Sequence, residues 1–213
     1  MVGWCSTISD SILSSGYRPD VIVGMSRGGW VPARILCDQL LVRNLVALRT
    51  QHWGVTASRD GKARLVTQIS EQLEGRNVLI VDDITDTGES MRLAYEHVMS
   101  RNPEHAGTAA MLHISHSHFK PDFYSAEVAG SDWRWFIFPW NFYEDMAHFI
   151  GEVLSDGPLS IQQIVDALRS SNELIFEEKT LLTLLLHLAS NGVVRKVGKK
   201  WEKLPLSSDT LQL

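Results

Sequence analysis

Residues 78 to 90, Val-Leu-Ile-Val-Asp-Asp-Ile-Thr-Asp-Thr-Gly-Glu-Ser, restrict the fold more than any other stretch of the chain. Four consecutive β-prone apolar residues predict a strand buried on both faces, as in a parallel sheet covered by helices. The polar, glycine-bearing run after them predicts a turn that opens a helix at Glu89-Ser90-Met91. Such a turn is a phosphate cradle at a strand's carboxyl end. Backbone N–H groups of Asp86, Thr87, Gly88, Glu89 and Ser90, with the Thr87 and Ser90 hydroxyls, can surround a dianion where the helix dipole favours negative charge. Asp82 and Asp83 add adjacent carboxylates, suited to accept hydrogen bonds from two neighbouring sugar hydroxyls or to approach Mg²⁺. A phosphate site beside a diol site describes a ribose 5-phosphate. The plainer alternative is an ordinary strand-to-helix turn with acidic caps, but capping needs one acid and not three.

A second turn points the same way. Asp20-Val-Ile-Val-Gly-Met25 predicts another buried strand, which runs into Ser26-Arg27-Gly28-Gly29, with Pro32 starting a helix to about Leu41. Two glycines let the backbone approach a ligand without side-chain obstruction, and Arg27 offers a fixed charge for an anion. Ahead of this strand, Cys5 to Ser15 predicts a short amphipathic helix with Ile8, Ile12 and Leu13 as its apolar positions. Leu45 to Arg49 predicts a further strand, and the polar excursion from Thr50 to Lys62 is either a mobile functional loop or a solvated hairpin. Thr108 to Ile114 predicts the next strand. The aromatic segment Trp133 to Asn141 then closes this part of the chain, with core packing expected for Trp133, Phe138 and Trp140.

The formal charge of -5 argues against a surface that coats nucleic acid broadly. Two cysteines, Cys5 and Cys37, match no metal-ligand spacing and fit a reduced cytoplasmic setting. No apolar run approaches membrane-spanning length, and the first residues lack the basic and apolar regions of a signal peptide. His113, His116 and His118 invite a metal reading, but they lack helical i, i+4 spacing and a nearby cysteine, which favours solvated or core-edge histidines.

The Val78 to Ser90 string resembles the 5-phosphoribosyl-1-pyrophosphate (PRPP) signature of type I phosphoribosyltransferases. Ser26-Arg27-Gly28-Gly29 followed by x-Val-Pro resembles the pyrophosphate loop of the 6-oxopurine branch, of the xanthine–guanine and hypoxanthine type. The resemblance covers roughly residues 17 to 145. It implies an α/β fold, a mostly parallel doubly wound sheet with helices on both faces, and displacement of pyrophosphate from PRPP by a purine with Mg²⁺. By this resemblance Asp82 and Asp83 hold the ribose hydroxyls, directly or through Mg²⁺, and Asp86 to Ser90 anchor the 5-phosphate. Asp86 also faces the purine's imidazole edge as the catalytic residue. Ser26, Arg27, Gly28 and Gly29 hold pyrophosphate, with a cis Ser26–Arg27 peptide expected, and Arg59, Lys62 or Arg64 of a closing loop joins them. Trp135 stacks on the base and the Phe136 backbone reads its edge. A homodimer is expected.

Three departures from the family pattern carry information. Thr85 fills a slot usually aliphatic, and Asn141 replaces a terminal acid on the metal–pyrophosphate side. Ser115 takes the slot of a lysine that donates to the purine 6-oxygen, with Lys120 too far along the chain to substitute. A hydroxyl accepts as well as donates, so both adenine and a 6-oxopurine stay open.

These features divide the chain into a phosphoribosyltransferase domain (1–150), a C-terminal domain (157–205) and a tail (206–213). After Gly157-Pro158, a helix with Ile161, Ile164, Val165 and Leu168 on one face precedes a strongly helical run from Glu177 to Ser190. A basic two-strand hairpin carrying Arg195, Lys196, Lys199, Lys200 and Lys203 ends the pattern, which resembles a winged-helix module. The rival reading that follows is a PRPP-sensing, DNA-binding regulator. Seven basic against eight acidic residues from 151 onward, and the apolar Leu181 to Leu186 stretch, favour packing over a DNA groove.

Overall fold

The computed structural model describes residues 2–52 and 63–205. The described residues form two compact units that divide between Trp135 and Phe136.

In the first unit the apolar runs become the strands of a six-stranded sheet: β1 (Val21–Ser26), β2 (Asn44–His52), β3 (Ala63–Thr67), β4 (Asn77–Thr85), β5 (His105–Ile114) and β6 (Phe123–Val128). Their spatial order is β3-β2-β1-β4-β5-β6, and all pairs are parallel except β2 with β3. An antiparallel edge on an otherwise parallel sheet is a common variant of doubly wound folds. Helices α1 (Val2–Ser14), α2 (Trp30–Gln39) and α3 (Glu89–Met99) cover the sheet. Side chains alternate across a strand, so Val21, Val23 and Met25 share one face with Val78 and Ile80, where Met91, Ala94 and Val98 of α3 pack. On the other face lies α2. A Cβ on Gly24 would come 2.9 Å from that of Ala33, so only glycine permits this approach.

Tyr17 ties the strands' amino ends together. Its hydroxyl donates to the Val78 carbonyl (2.7 Å) and accepts from the Gly107 N–H (3.3 Å). Burial pushes its pKa up to about 12.

Four boundaries differ from the sequence reading. Helix α2 begins at Trp30, with Gly29 as N-cap, so Pro32 is its third residue, where a missing N–H is still harmless. Strand β4 runs to Thr85, which places Asp82 and Asp83 inside the strand and not in the turn after it. Strand β2 extends to His52 and pairs with β3, with His52 opposite Ala63; the rest of the polar excursion, with Arg59 and Lys62, lies outside the described residues. Strand β6 has no counterpart in the expected elements. Its half-buried edge position and mixed sequence, Phe-Tyr-Ser-Ala-Glu-Val, give no apolar run to recognise.

The second unit holds α4 (Phe142–Val153), α5 (Ile161–Asn172), α6 (Glu178–Ser190) and a hairpin of β7 (Val194–Val197) and β8 (Lys200–Lys203). Packing therefore puts Phe136 and α4 with the C-terminal elements, earlier in the chain than the change of character after Gly157-Pro158. Leu181, Leu184, Leu185 and Leu188 of α6 join Ile164, Val165 and Leu168 of α5, Met146 and Ile150 of α4, and Trp201 in one apolar core. Ser160 and Gln163 form a reciprocal capping box at the start of α5. A backbone bridge between Leu159 and Trp201 adds one rung beside the hairpin.

Candidate active site

Chain order along the sheet brings the two glycine-bearing turns together, because β1 and β4 are parallel neighbours whose carboxyl ends point the same way. Ser26-Arg27-Gly28-Gly29 leaves β1, and the Ser26–Arg27 peptide bond is cis. Gly28 and Gly29 lie directly on the acidic pair of β4. A Cβ on Gly28 would fall 2.7 Å from Asp83 Oδ1 and closer still to Oδ2; one on Gly29 would fall 2.7 Å from the Asp82 Cα. Neither glycine leaves room for a larger residue.

Asp83 is buried, and its N–H donates to Asp82 Oδ1 (3.0 Å). Part of Asp82 meets solvent, yet protein closes around its carboxyl. That enclosure, and then the Asp83 charge, hold its pKa well above the usual carboxylate range, against the pull of the Asp83 and Gly29 N–H groups. Two crowded carboxylates favour sharing a proton or taking up a cation. Asp82 and Asp83 are therefore a donor set that fits a divalent metal.

Beyond β4, Asp86 to Gly88 form the turn into α3, which opens with Glu89 and Ser90. Gly88 has φ 85°, a left-handed conformation that glycine adopts without strain. The loop after β5 closes in behind it. A Cβ on Gly88 would meet Ser117 Oγ at 2.6 Å and the Phe119 nitrogen at 2.7 Å, and the His118 N–H donates to the Thr87 carbonyl (3.0 Å). The turn is thus braced by a neighbouring strand's loop.

The chain belongs to the phosphoribosyl transferase domain family, whose match spans residues 4–146. Xanthine-guanine phosphoribosyltransferase of Idiomarina loihiensis is 29% identical over 122 residues, covering 57% of this chain and 71% of that protein. The enzyme of the same name from Cereibacter sphaeroides is 28% identical over 137 residues, covering 59% of this chain and 74% of that protein. Among solved structures, a purine phosphoribosyltransferase from Pyrococcus horikoshii superposes with a TM-score of 0.55 at 25% identity, covering 64% of this chain and 86% of that one.

Against this phosphoribosyltransferase frame, the unusual Thr85 finds its explanation in a second polar residue. Thr85 Oγ1 lies 2.9 Å from Nδ1 of His113, and both are buried on paired strands. The two buried polar groups satisfy each other, and burial lowers the His113 pKa, favouring the neutral ring. His113 and His116 consequently have separate partners: His116 Nε2 lies 2.8 Å from Asp86 Oδ1.

Trp133 is not core, contrary to the aromatic-run expectation. It is exposed, and its indole Nε1–H donates to Asp86 Oδ1 (3.1 Å). It follows β6 through the single 3₁₀ turn Gly130–Asp132, so its placement depends on the strand that the sequence reading lacked. Trp135 is also exposed. Phe136, partly buried, belongs to the second unit, as do buried Phe138 and the partly buried Trp140 stacked on it (4.9 Å). Asn141 is the residue preceding α4. Ser115 is exposed at the end of β5, where its Oγ accepts from the Gly130 N–H (2.9 Å). Lys120 instead engages Glu127 (3.2 Å) and lies over the Tyr124 ring.

Proposed function

We propose that the chain is a purine phosphoribosyltransferase of nucleotide salvage, moving ribose 5-phosphate from PRPP to a purine with release of pyrophosphate. The observation that carries this reading is the packing of Gly28-Gly29 onto the Asp82–Asp83 pair at adjacent strand ends, beside the Asp86–Ser90 turn. Its relatives named as xanthine-guanine and hypoxanthine-guanine enzymes support the purine branch.

Asp82 and Asp83 would hold the ribose 2- and 3-hydroxyls and a Mg²⁺ ion, which when bound neutralises the departing pyrophosphate. Their negative charge stabilises the positive charge that develops on the ribose ring as the C1–O bond breaks. Backbone N–H groups of Asp86 to Ser90 anchor the 5-phosphate and fix C1 for attack by the purine nitrogen. Arg27, Gly28 and Gly29 receive the pyrophosphate, and Asp86 takes the proton at the purine's imidazole edge. Trp135 supplies a stacking face for the base. Ser115 Oγ accepts from the Gly130 N–H and keeps a second lone pair and its own proton, so it can meet either a 6-amino or a 6-oxo group, and it is the names of the relatives that favour a 6-oxopurine.

A cytoplasmic setting is part of the same proposal; both cysteines are free and buried, and no described helix is long and apolar enough to cross a membrane. The C-terminal unit fits a winged-helix-like module that packs through α6; part of its basic hairpin is engaged internally, Arg195 with Glu202 and Lys196 over Trp201. A homodimer belongs to the same proposal. The relatives lend no support to a DNA-binding regulator.

The test is incubation of the purified protein with PRPP, Mg²⁺ and, separately, guanine, xanthine, hypoxanthine, adenine, uracil and orotate, following nucleotide and pyrophosphate. Turnover with a 6-oxopurine is expected. PRPP binding without turnover on any base would overturn the enzyme reading.

A further inference from the structure

Three parallel neighbours, β4, β5 and β6, each send one residue from their carboxyl ends to the same point. Asp86 follows β4, His116 follows β5, and Trp133 follows β6 and its 3₁₀ turn. His116 Nε2 and Trp133 Nε1 both lie against one oxygen of Asp86, Oδ1, at 2.8 and 3.1 Å. Among the described residues, both of these bonds go to Oδ1 and neither goes to the other oxygen, Oδ2. Indole N–H is a donor only, so Oδ1 acts as an acceptor and remains one when His116 also donates. Gly130 seats the histidine: a Cβ there would come 2.9 Å from His116 Nδ1, and the Gly130 N–H is itself held by Ser115 Oγ.

We propose that His116 and Trp133 are positioning residues that clamp Asp86 by one carboxylate oxygen and present the other to the purine. The proposal rests on the reading of Asp86 as the residue that handles the purine proton. A carboxylate on a turn otherwise rotates freely about its last torsion, and a proton acceptor held in one orientation removes that freedom before the base arrives. The clamp acts on the base half of the reaction and leaves the PRPP cradle untouched. Ser115 therefore has a second role, in supporting Gly130 and through it the His116 ring.

The experiment compares His116→Ala, His116→Gln and Trp133→Phe in the full chain, with thermal melts confirming folding, which exposed side chains should preserve. His116→Ala and Trp133→Phe should each lower kcat by ~10- to 100-fold while KM for PRPP stays put. His116→Gln, which restores an N–H donor, should recover most of the loss. In an Asp86→Asn background neither substitution should cost anything further. An unchanged kcat, or the same fold-loss in the Asp86→Asn background, would overturn the proposal. A readout independent of turnover is the Trp133 indole N–H resonance, assigned by its disappearance in Trp133→Phe. It should move in Asp86→Ala, and a stationary resonance would refute the clamp whatever the kinetics. A resonance that moves in a protein with no turnover on any base would overturn the transferase reading and the positioning role with it, while the contact itself stands.

Discussion

Substituting Gly28 by alanine isolates the packing of the Ser26–Gly29 turn on the acidic pair. Gly28 does not adopt a positive φ, so alanine meets no backbone penalty there. The whole effect comes from the new methyl, which would lie 2.7 Å from Asp83 Oδ1 and nearer to Oδ2. Asp83 is only 7% exposed and cannot simply swing into solvent. Overpacking of this kind costs about 1–3 kcal/mol. For a chain of this size that lowers Tm by roughly 2–12 °C, at about 2–4 °C per kcal/mol. Because the carboxylate is the obstacle, the cost should shrink when Asp83 is truncated. A double-mutant cycle of Gly28→Ala and Asp83→Ala, read by thermal denaturation, should show a coupling of about 1–3 kcal/mol. Calorimetric titration with PRPP and Mg²⁺ should show binding lost in Gly28→Ala, since the displaced carboxylate is the one assigned to the ribose. Equal destabilisation in both Asp83 backgrounds, or wild-type PRPP affinity, would refute the reasoning.

Asp82→Asn should raise the Tm of the ligand-free protein near neutral pH and abolish PRPP–Mg²⁺ binding. Its folded pKa is raised, so ionised Asp82 weakens the fold as pH climbs from the unfolded carboxylate value through the folded one, and melts across that window should show the slope vanish in the variant. Tyr17→Phe strands the Gly107 N–H and the Val78 carbonyl and should cost about 1–3 kcal/mol in a denaturant titration. The tyrosine keeps its proton in the folded state to about pH 12 and loses it near 10 when unfolded. Wild type should therefore lose about 2–3 kcal/mol more than the phenylalanine variant between those values, with its full contribution present below pH 10. Asp86→Ala should cut turnover strongly and leave PRPP binding largely intact; equal loss of both, measured by kinetics and calorimetry, would contradict its assignment to the base.

Strands β1, β4 and β5 were legible because a strand buried on both faces must be an unbroken apolar run, and their turns because glycine next to acids or arginine has few other uses. The acidic pair Asp82–Asp83 at the end of an apolar run, the Asp86 to Ser90 turn and the Ser26 to Gly29 turn are local objects, so a few consecutive residues specify each. Strand β6 escaped because an edge strand needs no such run. With it went the placement of Trp133, whose neighbours in sequence are aromatic but whose partner, Asp86, is 47 residues away. Thr85 stood out as an oddity, and only the register of β4 on β5 supplied His113 as its partner.

The sequence by itself determined the chemistry of each turn, since backbone donors, glycine and paired acids act over a few residues. Tertiary structure alone decided which turns meet. Gly28 reaches Asp83 because β1 and β4 pair in parallel, and His116 reaches Asp86 because β5 lies next to β4. Sheet order is a property of the whole chain, set by burial and strand pairing over long separations, so no local pattern encodes it.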